Sequence, residues 1–129
     1  MVRMWQTLDS MNKREFSMGD FDCVRMAATV VDAMVVDSHV LENVSAMYHD
    51  KRSAVKLIMH SHGLDSLVTE KLGEPGPRSW ARQGDVVSVD LESGPAVGIC
   101  VGMTIAVAAA PSGIAYLPLE RGLLSWKVD

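Results

Sequence analysis

A chain of 129 residues has the length of one domain, and residues 1–129 are read as a single unit. Hydrophobic residues make up 48% and charged residues 22%, a composition that excludes intrinsic disorder. The net charge of −4, with no run of more than two Lys/Arg, argues against a nucleic-acid partner. No apolar run approaches the ~18 residues that a membrane span requires. The opening Met1–Gln6 lacks the apolar centre of a secretory signal, so the chain is expected in a cytoplasm or in an assembly built there.

Met4 to Arg14 can form a first helix, with Trp5, Leu8 and Met11 on one stripe. After a loop, Asp20 or Asp22 can cap a second helix by accepting from a free backbone N–H. This helix, about Asp22 to Val36, has the clearest pattern. Cys23, Met26, Ala27, Val30, Val31 and Met34 form the stripe of a helix with one buried face. Asp50 can cap a third helix through Met59, with Val55, Ile58, Met59 and His62 on one side and Gly63 as its left-handed stop. Leu64, Leu67, Val68 and Leu72 mark a further short helix ended by Gly73. Glu74-Pro75-Gly76-Pro77 then breaks the chain.

After Gly84 the hydrophobic period falls to two. In Asp85–Leu91, Val87, Val89 and Leu91 share a face opposite Ser88 and Asp90. Glu92-Ser93-Gly94-Pro95 is a turn. Ala96–Val101 is a second strand with Val97, Ile99 and Val101 inward. Thr104–Ala109 and Ile114–Leu117 are a third and fourth, joined through Pro111-Ser112-Gly113, and Leu124–Val128 suits an edge strand. Helices followed by strands with short connections imply an α+β fold, with N-terminal helices packed on an antiparallel sheet of about four to six strands.

Two cysteines without an export signal are expected to be reduced, and no Cys-x-x-Cys or His-x-x-x-His spacing suggests zinc. No cofactor or metal is expected. Cys23 opens the second helix, where the dipole and free N–H groups would lower a thiol pKa. It also begins the apolar stripe, and its spacing favours simple core packing. A thiol nucleophile needs a base within hydrogen-bond reach. His39 and His49 lie in a polar stretch and read as surface. His60 and His62 point to different sides of a helix, and His62 shares the apolar stripe as a half-buried residue. None is expected opposite Cys23. Asp20 and Asp22 are accounted for by capping and Asp85 by a turn. Gly94 and Gly98 do not lie between a strand and a helix, so they form no phosphate loop.

The segment Phe16-Ser17-Met18-Gly19-Asp20-Phe21-Asp22-Cys23 before a helix resembles the nucleophile segment of NlpC-type papain-like cysteine peptidases. Gly84-Asp85-Val86-Val87-Ser88-Val89 resembles their first sheet strand, and Ala96-Val97-Gly98-Ile99-Cys100-Val101-Gly102 the next. The order of these pieces spans roughly the whole chain. It is similar still more closely to a short group of phage and prophage proteins that share the Asp-Cys helix, the Gly-Asp-Val-Val strand, and a Leu-Pro-Leu segment with a late Trp, here Leu117-Pro118-Leu119 and Trp126.

The resemblance implies a papain-like, NlpC-like fold with Cys23 at the nucleophile-equivalent position. The peptidases carry their catalytic His where this chain has Ala96. Their third, orienting residue falls at the end of the following strand, where Ile105–Ala109 has no polar side chain. The expected function is therefore a catalytically inactive NlpC-like domain, a structural or assembly component of a phage tail. Its expected partners are other tail proteins, with homo- or hetero-oligomers possible, and its expected location is the virion or host cytoplasm. Trp5, Trp80 and Trp126 are candidate contact aromatics. One alternative is an active thiol peptidase or amidase acting on cell wall, its base relocated to His60, His62 or a partner chain. Another is a binding module that holds a peptide or glycan without cutting it.

Overall fold

The second helix of the chain, α2 (Cys23–Met34), lies at the centre of the architecture. Its stripe folds as the period dictates. Met26 and Val30 are fully buried and Ala27 and Val31 nearly so, packed between α1 (Val2–Ser10) and the sheet. The computed structural model describes residues 2–60, 62–92, 94–108 and 112–128. Among these, α3 (Val40–Met47), α4 (Lys51–His60) and α5 (Leu64–Leu72) complete the helical half. The strands follow as β1 (Gly76–Pro77), β2 (Val86–Leu91), β3 (Gly94–Cys100), β4 (Thr104–Ala108), β5 (Ile114–Pro118) and β6 (Gly122–Trp126). They form one sheet in the order β1-β6-β2-β3-β4-β5, with every pairing antiparallel. The fold is α+β, as the sequence predicts. Among the described residues no helix is long and apolar enough to cross a membrane.

The sheet has apolar side chains on both faces. Val86, Val97, Ile99, Val101, Ala106 and Trp126 join the core formed with α1, α2 and α5. Residues of the other parity, Val87, Val89, Ala96, Cys100, Ile105 and Val107, form a second cluster to which α1, α3, α4 and α5 contribute nothing. These residues are almost completely buried, with Leu91, Leu117 and Leu119 packed against them. Gly98 makes this close approach of β3 and β4 possible. A Cβ there would lie 2.4 Å from the Ala106 carbonyl oxygen. The β2–β6 register shifts between Val87 and Val89, and the Ser88 hydroxyl accepts the Leu124 N–H at 3.1 Å beside that shift.

Several local expectations are corrected. α1 ends at Ser10; its buried residues are Met4 and Leu8, with Met11 buried in the turn just beyond, so Trp5 faces solvent. α3 was not anticipated. Its first N–H groups are capped from another helix: Asp32 Oδ1 accepts from Val40 N–H at 2.8 Å and Oδ2 from Leu41 N–H at 3.0 Å. In α4 the buried residue is Ala54, while Val55 and Met59 are exposed. His62, rather than Gly63, takes the left-handed stop with φ 61°, and it is exposed rather than half-buried. Gly63 N–H then reaches the Ile58 carbonyl at 2.9 Å, closing the helix end.

The last strand runs over Gly122–Trp126 and is interior, flanked by β2 and the two-residue β1. Trp126 is consequently fully buried rather than a contact aromatic, and its Nε1–H donates to Thr69 Oγ1 at 3.1 Å, tying β6 to α5. The expected end of the third strand at Ala109 and the turn positions Ser93 and Pro111 lie outside the described residues.

Candidate functional site

The loop before α2 delivers Asp22 and Cys23 to the junction of helix and sheet. Gly19 turns this loop with φ 94°, and a Cβ there would lie 1.9 Å from the His49 carbonyl oxygen, so the loop sits directly on the segment after α3. Asp22 is fully buried and caps α2, accepting the Arg25 N–H at 2.9 Å. The same oxygen, Oδ1, accepts the Tyr48 hydroxyl at 2.7 Å. Oδ2 accepts the Gly19 N–H at 2.9 Å and Arg25 Nη1 at 3.2 Å. Arg25 in turn donates from Nη2 to the Tyr48 carbonyl at 2.6 Å and stacks on the Tyr48 ring, 4.2 Å from its centroid. One buried carboxylate thus joins the pre-helix loop, α2 and the end of α3. Every hydrogen-bonding group in this cluster that the carboxylate needs is supplied by protein, which is the condition for burying a charge.

Cys23 sits beside this cluster with its side chain packed against both apolar clusters of the sheet. Burial, the dominant cause, pushes its thiol up to about 11. The backbone at Val97 offsets part of this, and the Asp22 carboxylate adds to the rise. A position at the helix start was expected to lower the thiol pKa. It does not, because desolvation outweighs the helix N-terminus and the nearest charge is negative. The Tyr48 phenol is likewise pushed well above its ordinary value, first by burial and then by Asp22, so it remains a hydrogen-bond donor. At pH 7 a thiol near 11 is about one part in 10⁴ thiolate, far from a poised nucleophile.

A groove of about 290 Å³ runs past Cys23 between the pre-helix loop and α4. Met18, Cys23, Ile58, Leu64 and Leu67 are among its lining residues, with Lys51, Val55, Met59 and Pro95 at its more open parts. No histidine lines it. His39, His49, His60 and His62 are all exposed; His39 lies 3.5 Å from Glu42 and His49 3.6 Å from Asp50. Ala96 lies on β3 and belongs to the cluster against which Cys23 packs.

Of the remaining sequence candidates, Asp20 is exposed and pairs with Arg14 at 3.4 Å, leaving the cap to Asp22 alone. Asp85 is buried and does more than shape a turn. It accepts the Arg82 N–H at 3.0 Å, the Val128 N–H at 3.1 Å and Lys127 Nζ at 2.9 Å, pinning the chain after β6 to the start of β2. Gly94 and Gly98 lie within β3. Among the described residues no group of three or more His, Cys, Asp or Glu is placed to hold a metal ion. Arg25 and Tyr48 were not singled out from sequence. The i, i+3 spacing of Asp22 and Arg25 signals the first, but nothing local signals a tyrosine 26 residues away.

No curated protein matches the chain. Residues 2–128 match the family described as "Domain of unknown function (DUF6950)", and the chain belongs to that family.

Proposed function

We propose that this chain is a catalytically silent relative of the NlpC-type, papain-like peptidases, serving as a structural or assembly component of a phage tail. The observation that carries the silent reading is the environment of Cys23. The sulfur is desolvated and its carboxylate neighbour opposes ionisation; the sequence resemblance, in addition, assigns Ala96 on the adjacent strand to the position of a peptidase's imidazole. Loss of base and orienter together removes the proton transfers that a thiol peptidase needs. The fold survives because the groups that hold the site are Asp22, Arg25 and Tyr48, none of which needs the thiol to ionise. A relocated base draws no support from His60 or His62, which are exposed and outside the groove lining. The tail setting rests on the order of the Asp-Cys helix, the Gly-Asp strand, Leu117-Pro118-Leu119 and Trp126 along the chain.

The test is genetic. The gene is deleted from the phage or prophage that carries it, and particles are examined by electron microscopy. Tail defects restored equally by the native chain and by Cys23→Ala support the proposal. Normal particles after deletion, or failure of a folded Cys23→Ala chain to restore them, would overturn it.

A further inference from the structure

α4 is the least buried of the helices that flank Cys23, and its outer surface has an unusual chemistry. Over Lys51–His60 it carries Lys51, Arg52, Lys56 and His60 and no acidic residue, on a chain whose net charge is −4. Between these cations it exposes Val55 (48%) and Met59 (73%), spaced as i, i+4 on one stripe. The helix packs inward through buried Ala54 and half-buried Leu57 and Ile58, yet Val55 and Met59 stay outside that stripe. Val55 and Met59 instead line the open side of the groove that descends past Ile58 to Cys23. Among the described residues the one carboxylate lining this groove, Asp22, is fully buried and already bonded to Arg25 and Tyr48. Asp50, just before the helix, is engaged by the Ser53 N–H at 2.8 Å and the Ser53 hydroxyl at 2.8 Å.

An apolar groove with Lys51 in its lining, and with Arg52 and Lys56 on the same helix, is complementary to one chemistry, an apolar side chain flanked by carboxylates. We infer that the α4 face is the docking surface for an acidic, apolar segment of a partner protein. The partner's apolar anchor enters the groove between Val55, Met59 and Pro95, and its Asp or Glu residues meet Lys51, Arg52 and Lys56. The groove volume of about 290 Å³ holds a few side chains, and its concavity suits a peptide segment better than a flat lipid surface. Attraction between exposed opposite charges raises the association rate and weakens with salt, while the buried anchor supplies most of the affinity. This inference deepens the assembly reading and rests on it, since a catalytic groove would be reserved for substrate.

The test is a selection from a random 16-residue display library on the full-length chain, counter-selected on the double variant Val55→Glu/Met59→Glu. Both substituted residues are exposed, and an unchanged circular dichroism spectrum confirms that the variant folds. The expected result is enrichment of peptides with Asp or Glu beside Leu, Phe, Met or Trp. Their affinity should fall at least ten-fold for the double variant and for Lys51→Glu/Arg52→Glu, and should weaken as salt is raised. Three results would overturn the inference: no peptides distinguishing the native chain from the double variant, enrichment of basic or uncharged peptides, or binding only to vesicles of anionic phospholipid. None of these outcomes reads thiol reactivity, so failure here is separable from failure of the catalytically silent reading.

Discussion

The Tyr48 hydroxyl donates to Asp22 Oδ1 at 2.7 Å, so the residue that caps the start of α2 is held by the residue just past the end of α3. The bond spans 26 residues and closes a buried network with Arg25. Hydrogen bonds to charged groups contribute about 1.5–3 kcal/mol each, and Tyr48→Phe is expected to lose about that much in urea unfolding. Asp22→Ala removes the carboxylate paired with buried Arg25 and is expected to cost about 3–5 kcal/mol. Equal, small losses for the two variants would show that the network is peripheral to stability.

Gly98 marks the tightest contact between β3 and β4. Gly98→Ala places a methyl 2.4 Å from the Ala106 carbonyl oxygen, where backbone rather than a flexible side-chain tip must yield. Overpacking of this kind costs about 1–3 kcal/mol. Thermal unfolding of Gly98→Ala against Gly94→Ala is informative, because nothing lies within 4 Å of a Cβ at Gly94, although its φ of 123° strains any side chain. The Gly98 variant is expected to lose soluble, folded protein at lower temperature than native, and native-like melting would show that the strands part more easily than their spacing implies.

Asp32 is expected to give α3 a pH-dependent stability. Burial pushes its carboxyl up, but this is outweighed by the Ser38 hydroxyl and the Leu41 and Val40 N–H groups, and the net value is lowered. A depressed carboxylate stabilises the folded state above its unfolded value, near 3.8, and loses that contribution as pH falls through the lower folded value. Asp32→Ala is expected to cost about 0.5–2 kcal/mol near neutral pH, as loss of a helix cap does. The difference between native and variant is expected to shrink below about pH 4 in denaturant titrations. A difference that stays constant down to pH 2 would assign the loss to packing instead.

What local pattern controls was legible in the residues. The α2 stripe from Met26 to Val31 and the period-two runs of β2 and β3 lie where their spacing puts them, because each element's own hydrophobic face decides them. α3 has no local signal, because its start is capped by Asp32, eight residues before Val40, with His39 in a left-handed conformation that no local residue announces. β6 looked like an edge because strand order depends on partners far away in sequence. Only its pairing with both β1 and β2 buries Trp126. At the site, Asp22 and Cys23 were visible as a cap followed by a helix-start thiol. The direction of the thiol's shift was not, because it is set by burial against the sheet and by Asp22 rather than by the helix.

The pH dependence of Cys23 alkylation by iodoacetamide, resolved by mass spectrometry from that of buried Cys100, tests the silent reading most directly. With the thiol near 11, the rate is expected to rise about ten-fold per pH unit from pH 7 to beyond pH 9 and to be unchanged by replacing His60 or His62. A plateau reached below pH 8.5, shifted upward by either histidine replacement, would contradict it by revealing an activated thiolate with a working base.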